Sequence, residues 1–303
     1  SSFSNRKEMK KFKILIPCYN DWQSLFKLLN NIDNNITMFD AEFTVLIVND
    51  CSTEKMPKPS FSFKKIKSID LINIKKNQGH TRCNATGIKY LSKKKDFDYM
   101  ILMDGDGEDN PDDLPIIIKN VLEKKNISVV ATRKKRSEGL LFTMLYNLHK
   151  VITLIFAGKN MNFGHYSCLT RDDVILLSSK KTLWSNFAGA AKKFIPGLYG
   201  VPTIRGLRYF GPSKMPLTGL IIHSMSIIAS FKYQVLLRSL LFIFLFSFLY
   251  FKIDENIIFL VLNFSITFFC LIIFIISRRE NSIHLENCQQ RIQNIINIHT
   301  TRL

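Results

Sequence analysis

The stretch "YMILMDGDGEDNPDDLP", residues 99–115, places an apolar run of strand length directly before six carboxylates. These six lie between Asp104 and Asp113, although the whole chain has only 24 acidic residues against 42 Lys and Arg, a net charge of +18. Like charges this close repel one another and resist burial, so we expect a cation among them. Pro111 suits the first turn of a helix. The stretch therefore predicts a buried strand, a cation-binding loop and a helix.

Apolar runs of strand length recur on both sides of this stretch, with helical patterns between them. Leu25, Leu28, Leu29 and Ile32 are spaced as on one helix face, and a further helix is predicted around 81–92. Strands that alternate with helices predict an α/β fold, a mainly parallel sheet with helices on both faces. The predicted strands are "FKILIP" (12–17), "FTVLIVND" (43–50), "IDLINI" (69–74), "DYMILMD" (98–104) and "ISVVATR" (127–133).

Polar residues follow three of these strands. They are "PCYND" after the first, "NDCSTE" after the second and "DGDGED" after the fourth. Open α/β sheets bind ligands at the carboxyl ends of their strands. We therefore expect the three polar segments to meet in one crevice.

The acidic loop matches a site for a hard cation better than other acidic motifs. A calcium-binding EF-hand loop would need Gly and Glu where this chain has Asp109 and Pro115. No GxGxxG or GxxxxGK[ST] follows a strand, which excludes the usual dinucleotide and P-loop sites. The D-x-D of Asp104 and Asp106 offers oxygen ligands for Mg²⁺ or Mn²⁺, which commonly complete their shell with substrate phosphates. The alternative is a solvated acidic turn that caps the next helix.

Two long apolar runs near the C-terminus predict a transmembrane hairpin. They are "SLLFIFLFSFLYF" (239–251) and "NIIFLVLNFSITFFCLIIFIIS" (256–277), and only "KIDEN" separates them. The alternative is two buried helices of a soluble core. The outer flanks carry Lys232, Arg238, Arg278 and Arg279, against Lys252 in the connecting loop. The positive-inside rule therefore predicts that both ends, and the large N-terminal part, are cytoplasmic.

The residues around the hairpin complete the predicted organisation. "PLTGLIIHSMSIIASF" (216–231) has the pattern of an interfacial helix, and the isoleucines of 279–303 suggest one more amphipathic helix. We predict a large N-terminal α/β domain (1–215), an interfacial amphipathic helix (216–232), a transmembrane hairpin (233–278) and a cytoplasmic tail (279–303). The six scattered cysteines indicate neither a disulfide framework nor a zinc site. Anionic lipids and a phosphate-bearing ligand account for the basic charge better than nucleic acid does, because no nucleic-acid recognition motif is present.

Five motifs together resemble a known family. They are "IPCYND" (16–21), "VNDCSTE" (48–54), "NQGHTRCNATGIKYL" (77–91), "DGDGEDNPDDL" (104–114) and "RGLRYFGPSKM" (205–215). In this order, followed by a membrane hairpin, they resemble family 2 glycosyltransferases of the GT-A fold. Within that family the chain is most similar to the membrane-anchored polyprenyl-phosphate glycosyltransferases of the dolichyl-phosphate mannose synthase type.

The resemblance implies roles for individual residues. The chain departs from the family pattern at Asp21, where Glu is usual, and at Asn49, where an Asp is frequent. Catalytic roles are implied for Asp104, Asp106, Arg133 and Arg208, and a divalent cation, Mg²⁺ or Mn²⁺, at Asp104, Asp106 and Glu108. Donor binding is implied for Pro17, Tyr19, Asp21, Asp50, Asn77, Gly79 and Asp104. Acceptor binding is expected at Arg133, Arg136, Arg208, Ser213 and Lys214, with Arg205, Arg208 and Lys214 at the depth of the lipid headgroups.

The implied reaction is transfer of a sugar from a UDP- or GDP-sugar to a polyprenyl phosphate, with inversion, at the cytoplasmic face of a bacterial inner membrane. A phosphate acceptor is mostly ionised at neutral pH and needs no general base. One alternative is glycosylation of a hydroxyl on a lipid-linked saccharide, with Glu108, Asp109 or His165 as base. Another is an inactive membrane-anchored homologue that binds partners. Membrane lipids are expected partners, and a homo-oligomer remains open.

Overall fold

The computed structural model describes residues 9–124, 127–135, 140–211, 216–253 and 256–301, and only the backbone of 133–135 and 140–143. The described residues form one eight-stranded sheet in the order β7-β5-β6-β4-β1-β2-β3-β8. The strands are β1 (Lys10–Cys18), β2 (Ala41–Asn49), β3 (Ile66–Ile74), β4 (Tyr99–Leu102), β5 (Val129–Lys135), β6 (Phe163–Thr170), β7 (Tyr199–Ile204) and β8 (Ile292–Thr300).

The predicted α/β class with a mainly parallel sheet is confirmed. Parallel pairing joins β4 to β1, β1 to β2, β2 to β3, and β5 to β7, whereas β6 and β8 pair antiparallel with their neighbours. The five predicted strands are β1 to β5. Strands β6 and β7 were not predicted, because β6 mixes polar with apolar residues and β7 contains Gly200 and Pro202.

Helices cover both faces of the sheet, as predicted. They are α1 (Trp22–Asn35), α2 (His80–Leu91), α3 (Leu114–Glu123), α4 (Leu140–Ile152), α5 (Arg171–Ser178), α6 (Thr182–Ser185), α7 (Phe187–Phe194), α8 (Leu217–Ala229), α9 (Lys232–Lys252), α10 (Ile257–Ser277) and α11 (Ser282–Glu286). Ile14 and Ile16 pack with α1 and α3, and Leu15 packs on the opposite face with α2, α5, α6 and α7. A Cβ on Gly87 would lie 2.5 Å from Leu15 Cδ1, so α2 can lie close against β1.

Helices α9 and α10 form the predicted apolar hairpin. Both are long and apolar enough to cross a membrane, and only 11% and 17% of their most apolar stretches are buried in the protein. A helix of a soluble core would be mostly buried, so these exposed apolar surfaces favour a membrane environment. Lys232 Nζ donates to Ser277 Oγ at 3.3 Å, so the two outer ends of the hairpin are adjacent.

Helix α4 presents an apolar face that the sequence reading did not identify. A π-helical turn, Thr153–Ala157, continues it. Met144, Leu148 and Leu154 are more than half exposed along this segment. Arg238 of α9 donates to the carbonyl of Ile155 at 2.9 Å, which ties the segment to the hairpin. An exposed apolar helix beside two membrane-length helices is typical of a segment that contacts lipid.

The prediction of an amphipathic helix in the tail is wrong. Residues 292–300 form β8, which pairs antiparallel with the edge strand β3. Asn73 Nδ2 donates to Asn294 Oδ1 at 2.7 Å, and Asn297 Nδ2 donates to Asp70 Oδ1 at 2.9 Å. The unpaired backbone of β3 supplies the partner that favours an extended strand over an isolated helix. The chain therefore returns from the hairpin to the sheet from which it started.

Candidate active site

A crevice of about 890 Å³ lies at the carboxyl ends of β1, β2 and β4. All three polar segments that follow these strands contribute to its wall, as expected. Arg205 and Arg208 enter from a later part of the chain. Every predicted donor and metal residue lines this crevice: Pro17, Tyr19, Asp21, Asp50, Asn77, Gly79, Asp104, Asp106 and Glu108.

Arg208 joins two of the predicted site residues. Its Nη1 donates to Asp106 Oδ2, and its Nη2 donates to Asp21 Oδ2 at 3.0 Å. The three side chains are mostly buried, and ion pairs in such surroundings are screened less than on the surface. Arg208 therefore neutralises the D-x-D segment directly.

The segment around Arg208 lies along the acidic loop. Arg205 pairs with Glu108, and the amide of Tyr209 donates to the Asp106 carbonyl at 2.9 Å. Gly107 has a φ of +90°, and a Cβ there would lie 2.7 Å from the Tyr209 ring, so this approach requires glycine. Arg205 and Arg208 thus contact the crevice carboxylates, and their expected position at the depth of the lipid headgroups stays a prediction.

The carboxylates of the crevice are chemically suited to bind a divalent cation, but their side chains do not surround a common position. Among the described residues, no three His, Cys, Asp or Glu side chains are arranged to hold a metal ion. Asp106 and Glu108 face arginines instead. Asp104 and Asp106 still offer hard oxygen ligands in an open crevice, where substrate phosphates would complete the shell. The metal assignment to Asp104, Asp106 and Glu108 stays a prediction.

Asp50 organises the turn before α2. Its two carboxylate oxygens accept from the amides of Gln78 at 2.8 Å and Gly79 at 2.7 Å, and Asn77 Nδ2 donates to its carbonyl at 3.2 Å. Gly79 has a φ of +88°, which favours glycine. Burial raises the pKa of Asp50, and the amide donors of Gln78 and Gly79 oppose this rise. Three residues predicted to bind the sugar donor, Asp50, Asn77 and Gly79, thus form one hydrogen-bonded turn in the crevice wall.

Asn20 holds the ends of β1 and β2 together, a role that the sequence analysis missed. Its Oδ1 accepts from the amides of Thr53 at 2.8 Å and Glu54 at 3.0 Å. Trp22 Nε1 adds a bond of 3.0 Å to the carbonyl of Glu54. Asn20 has a φ of +49°, in the left-handed region that Asn tolerates better than most residues. An asparagine directly after a buried strand was the available signal.

Three histidines from distant parts of the chain meet in the crevice wall. His80 begins α2, His165 lies on β6 and His223 lies on α8, and their ring centroids are 5.2 to 5.6 Å apart. Burial lowers the pKa of His80, and the charges of Asp50 and Asp106 oppose that shift. Only His165 was considered from sequence, because the contact among the three depends on the fold.

The crevice wall extends to the apolar helices. Tyr146 and His149 of α4 line it, as do Leu217, Leu220 and Ile227 of α8. Both helices also carry exposed apolar residues, including Met144 on α4 and Ile221 on α8. The same crevice therefore has a carboxylate and arginine region and an apolar side next to the hairpin.

Four predicted acceptor residues receive no side-chain description. Arg133 lies on β5, where only the backbone is described. Arg136, Ser213 and Lys214 lie outside the described residues. Their acceptor roles stay predictions. Trp184 is only 1% exposed, packs in the core and does not line the crevice.

Comparison with known sequences identifies relatives for this chain. A sequence model described as Glycosyl transferase family 2 matches residues 13–185. An undecaprenyl-phosphate 4-deoxy-4-formamido-L-arabinose transferase of Proteus mirabilis is 23% identical over 168 residues, 55% of this chain and 50% of that protein. The transferase of the same description from Erwinia tasmaniensis is 22% identical over 221 residues, 70% and 65% of the two chains. The chain thus spans about half to two thirds of the length of these relatives.

Solved structures share the fold. Glucosyl-3-phosphoglycerate synthase from Mycobacterium tuberculosis, in complex with Mn²⁺, UDP-glucose and phosphoglyceric acid, superposes with a TM-score of 0.52 at 11% identity. The match covers 75% of this chain and 80% of that one. At this identity the similarity shows the fold alone.

Proposed function

This chain belongs to glycosyl transferase family 2 and is a glycosyltransferase with the GT-A fold, and we propose that it transfers a sugar from a nucleotide diphosphate sugar to a polyprenyl phosphate at a membrane surface. One observation carries the proposal. A single crevice contains the Asp50 turn, the D-x-D with Arg208, and the apolar walls of α4 and α8 beside the hairpin. The names of the undecaprenyl-phosphate transferases among its relatives support a lipid-phosphate acceptor.

The donor end of the crevice suits a nucleotide diphosphate. The turn of Asp50, Asn77 and Gly79 forms the wall for the nucleoside, and Arg208 lies where a diphosphate would reach the acidic loop. A divalent cation held by Asp104 and Asp106 would neutralise charge as the nucleotide leaves. Arg208 can exchange its carboxylate partners for diphosphate oxygens, because guanidinium groups bind both in the same bidentate geometry. Mn²⁺ in the solved glucosyl-3-phosphoglycerate synthase supports a cation of this class.

The transfer is a displacement at the anomeric carbon. An oxygen of the acceptor phosphate forms the new bond to that carbon, and the bond to the donor diphosphate breaks with its electron pair on the leaving group. The acceptor oxygen is already ionised near neutral pH, so no side chain has to remove a proton. The remaining task of the protein is to position the two phosphates and stabilise their charge. In-line attack inverts the anomeric configuration.

The apolar side of the crevice suits the lipid. The outward faces of α4 and α8 are apolar, and Leu217, Leu220 and Ile227 continue that surface into the crevice. A polyprenyl chain can therefore stay in apolar surroundings while its phosphate reaches the carboxylate and arginine region. Such an arrangement would hold the acceptor phosphate near the donor while the lipid chain stays in apolar surroundings.

The return of the chain to the sheet supports the membrane orientation. Strand β3 precedes the hairpin and β8 follows it, yet the two strands pair side by side. Both ends of the hairpin therefore lie on the same side of the membrane. The excess of Lys and Arg on these ends supports the cytoplasmic side, and the location is proposed to be a bacterial inner membrane.

A hydroxyl acceptor on a lipid-linked saccharide is the second candidate, and one residue favours it. Of the bases considered from sequence, Glu108 is paired with Arg205. Asp109 is buried, and its Oδ2 accepts a hydrogen bond from the Asp104 amide at 3.0 Å. His165 lines the crevice next to His80 and His223. His165 is therefore the candidate for the general base in this second reaction.

The test compares the two acceptors with the full-length protein in membranes. UDP- and GDP-sugars are first ranked by thermal shift with Mn²⁺, since a ligand of the folded state raises the melting temperature. The best donor is then incubated with undecaprenyl phosphate or with an undecaprenyl-diphosphate saccharide, and lipid products are identified by mass spectrometry. We expect a product one sugar heavier than undecaprenyl phosphate. Sugar addition to the saccharide alone would contradict the proposal and favour the hydroxyl acceptor.

A further inference from the structure

A second pocket of about 210 Å³ lies at the junction of the catalytic domain and the hairpin. Its wall includes Arg82 of α2, Trp184 of α6, Ser226 of α8, and Arg279, two residues beyond the end of α10. It shares His80 and His223 with the wall of the crevice. The catalytic domain, helix α8 and the segment just beyond α10 thus meet around one small cavity.

The charge around this pocket is predominantly positive. Arg279 lines it with Arg82, and Arg291 approaches Arg82 from the segment before β8. Among the described residues, no carboxylate lies within ion-pair distance of any of these three arginines. Burial lowers the pKa of Arg82, and the charges of Arg279 and Arg291 lower it further, whereas the charge of Asp50 opposes the shift. Arginines gathered in this way favour an anion among them.

The indole of Trp184 gives a second, independent reason to expect a ligand in this pocket. Its side chain is only 1% exposed, yet its indole Nε1 has no hydrogen-bond acceptor within the described part of the chain. The guanidinium carbons of Arg82 and Arg291 lie 5.6 and 5.3 Å from its ring centroid. A buried donor without an acceptor is unfavourable, so an oxygen-rich ligand in the adjoining pocket would stabilise this arrangement.

The position of the pocket indicates the source of that ligand. Ile275, in the last turn of α10, and Ile222, in the pocket wall on α8, both expose apolar surface. Arg279 lies just past the end of a membrane-length helix, at the level expected for lipid headgroups. A molecule here can place acyl chains along the apolar helices and a phosphate among the arginines.

We propose that this pocket binds the phosphate headgroup of an anionic phospholipid, held by Arg82 and Arg279, and that the bound lipid fixes the hairpin to the catalytic domain. The inference rests on the membrane attachment included in the proposed function, but not on the sugar, the donor or the acceptor. A test that measures lipid binding rather than transfer therefore fails independently of the proposed reaction.

The experiment uses the full-length protein in phosphatidylcholine vesicles with and without phosphatidylglycerol, at constant ionic strength. Thermal unfolding and native mass spectrometry report lipid binding. We expect phosphatidylglycerol to raise the melting temperature and to remain bound in the mass spectrometer. Arg82→Gln and Arg279→Gln should each weaken its apparent affinity at least tenfold. Arg278→Gln is the matched control, because Arg278 is exposed beside Arg279 and does not line the pocket.

Three results would overturn the proposal. The wild-type protein could gain no stability from phosphatidylglycerol over phosphatidylcholine, a result that needs no variant. Arg278→Gln could reduce binding as much as Arg279→Gln, which would indicate general attraction to a charged surface. Inorganic phosphate could give the same stabilisation, which would identify a site for free phosphate. Since Arg279 is exposed, its substitution leaves the core intact even if Arg82→Gln fails to fold.

Discussion

Arg208 forms an ion pair with Asp106, the second aspartate of the D-x-D motif, across 102 positions of the chain. The arginine was expected to hold the acceptor phosphate, and the aspartate to hold a metal ion. Because of this contact, Asp106 Oδ2 accepts a hydrogen bond from Arg208 in the protein without a bound donor. We therefore predict that Arg208 and a cation held by Asp106 compete for this carboxylate.

Asp106→Asn should abolish cation-dependent donor binding and leave the fold intact. The substitution removes the charge that attracts a hard cation but keeps the shape of the side chain. Thermal shift with the best nucleotide sugar and Mn²⁺ measures the effect. Asp112→Asn is the control, because Asp112 is exposed in the same acidic stretch. Near wild-type transfer by Asp106→Asn, with Mn²⁺ as the only divalent ion, would show that the site is wrong.

Arg208→Ala should lower sugar transfer at least tenfold, about 1.4 kcal/mol in the barrier. At the same time it should raise the affinity for Mn²⁺ measured without donor, because Asp106 loses its competing partner. Calorimetric titration with Mn²⁺, with and without UDP, separates the two effects. Arg208→Lys keeps the charge and should fall between the two proteins. An unchanged Mn²⁺ affinity in Arg208→Ala would rule out the competition.

Replacing residues 233–277 with a short flexible linker should preserve donor binding but reduce transfer to a long-chain acceptor. The bond between Lys232 and Ser277 brings the ends of the replaced segment close enough for a short linker. The crevice proposed to bind the donor is formed at the edge of the sheet, whereas the hairpin is proposed to provide membrane contact. The comparison uses long-chain and water-soluble short-chain lipid phosphates in the presence of vesicles. Equal turnover of the long-chain acceptor would contradict this division of roles.

Deleting residues 290–303 should destabilise the catalytic domain although the hairpin is kept. The deletion removes β8 and leaves the backbone groups of β3 unpaired. We expect a lower melting temperature and faster proteolysis near β3. Removal of residues 302–303 alone serves as the control. An unchanged melting temperature in the longer deletion would mean that β8 adds no stability.

Acidification should destabilise the protein partly through His80. Its pKa is lowered in the folded state, so the unfolded chain binds the proton more readily once the pH falls below about 6.5. Asp50 and Asp106 oppose the shift, and the rings of His165 and His223 adjoin it. His80→Gln should therefore lose less unfolding free energy than the wild type between about pH 7.5 and about pH 5.5.

Chemical denaturation at several pH values measures this difference. His284→Gln is the control, because His284 is exposed outside the crevice. It should keep the pH dependence of the wild-type protein. Identical slopes for His80→Gln and the wild type would indicate that His80 does not contribute.

Much of this architecture is determined by local sequence. An apolar run followed by Asp104 and Asp106 predicted a strand end with a polar loop, because strand burial and turn chemistry are properties of neighbouring residues. The apolar hairpin was also predicted from local sequence, because a membrane helix requires about 20 consecutive apolar residues. The order of the five motifs was sufficient to suggest the family and the location of the donor crevice.

Other features were decided only by the tertiary structure. The tail was predicted to form a helix, because its isoleucines are spaced as on one helix face. It forms a strand instead, because it pairs with the edge of β3. The bond from Asn73 to Asn294 joins residues 221 positions apart. The pairing of Arg208 with Asp106 and the meeting of the three histidines likewise join residues from separate elements. Local patterns report which face of an element is apolar. They do not report which distant group completes an ion pair or a sheet, because that depends on how the elements pack.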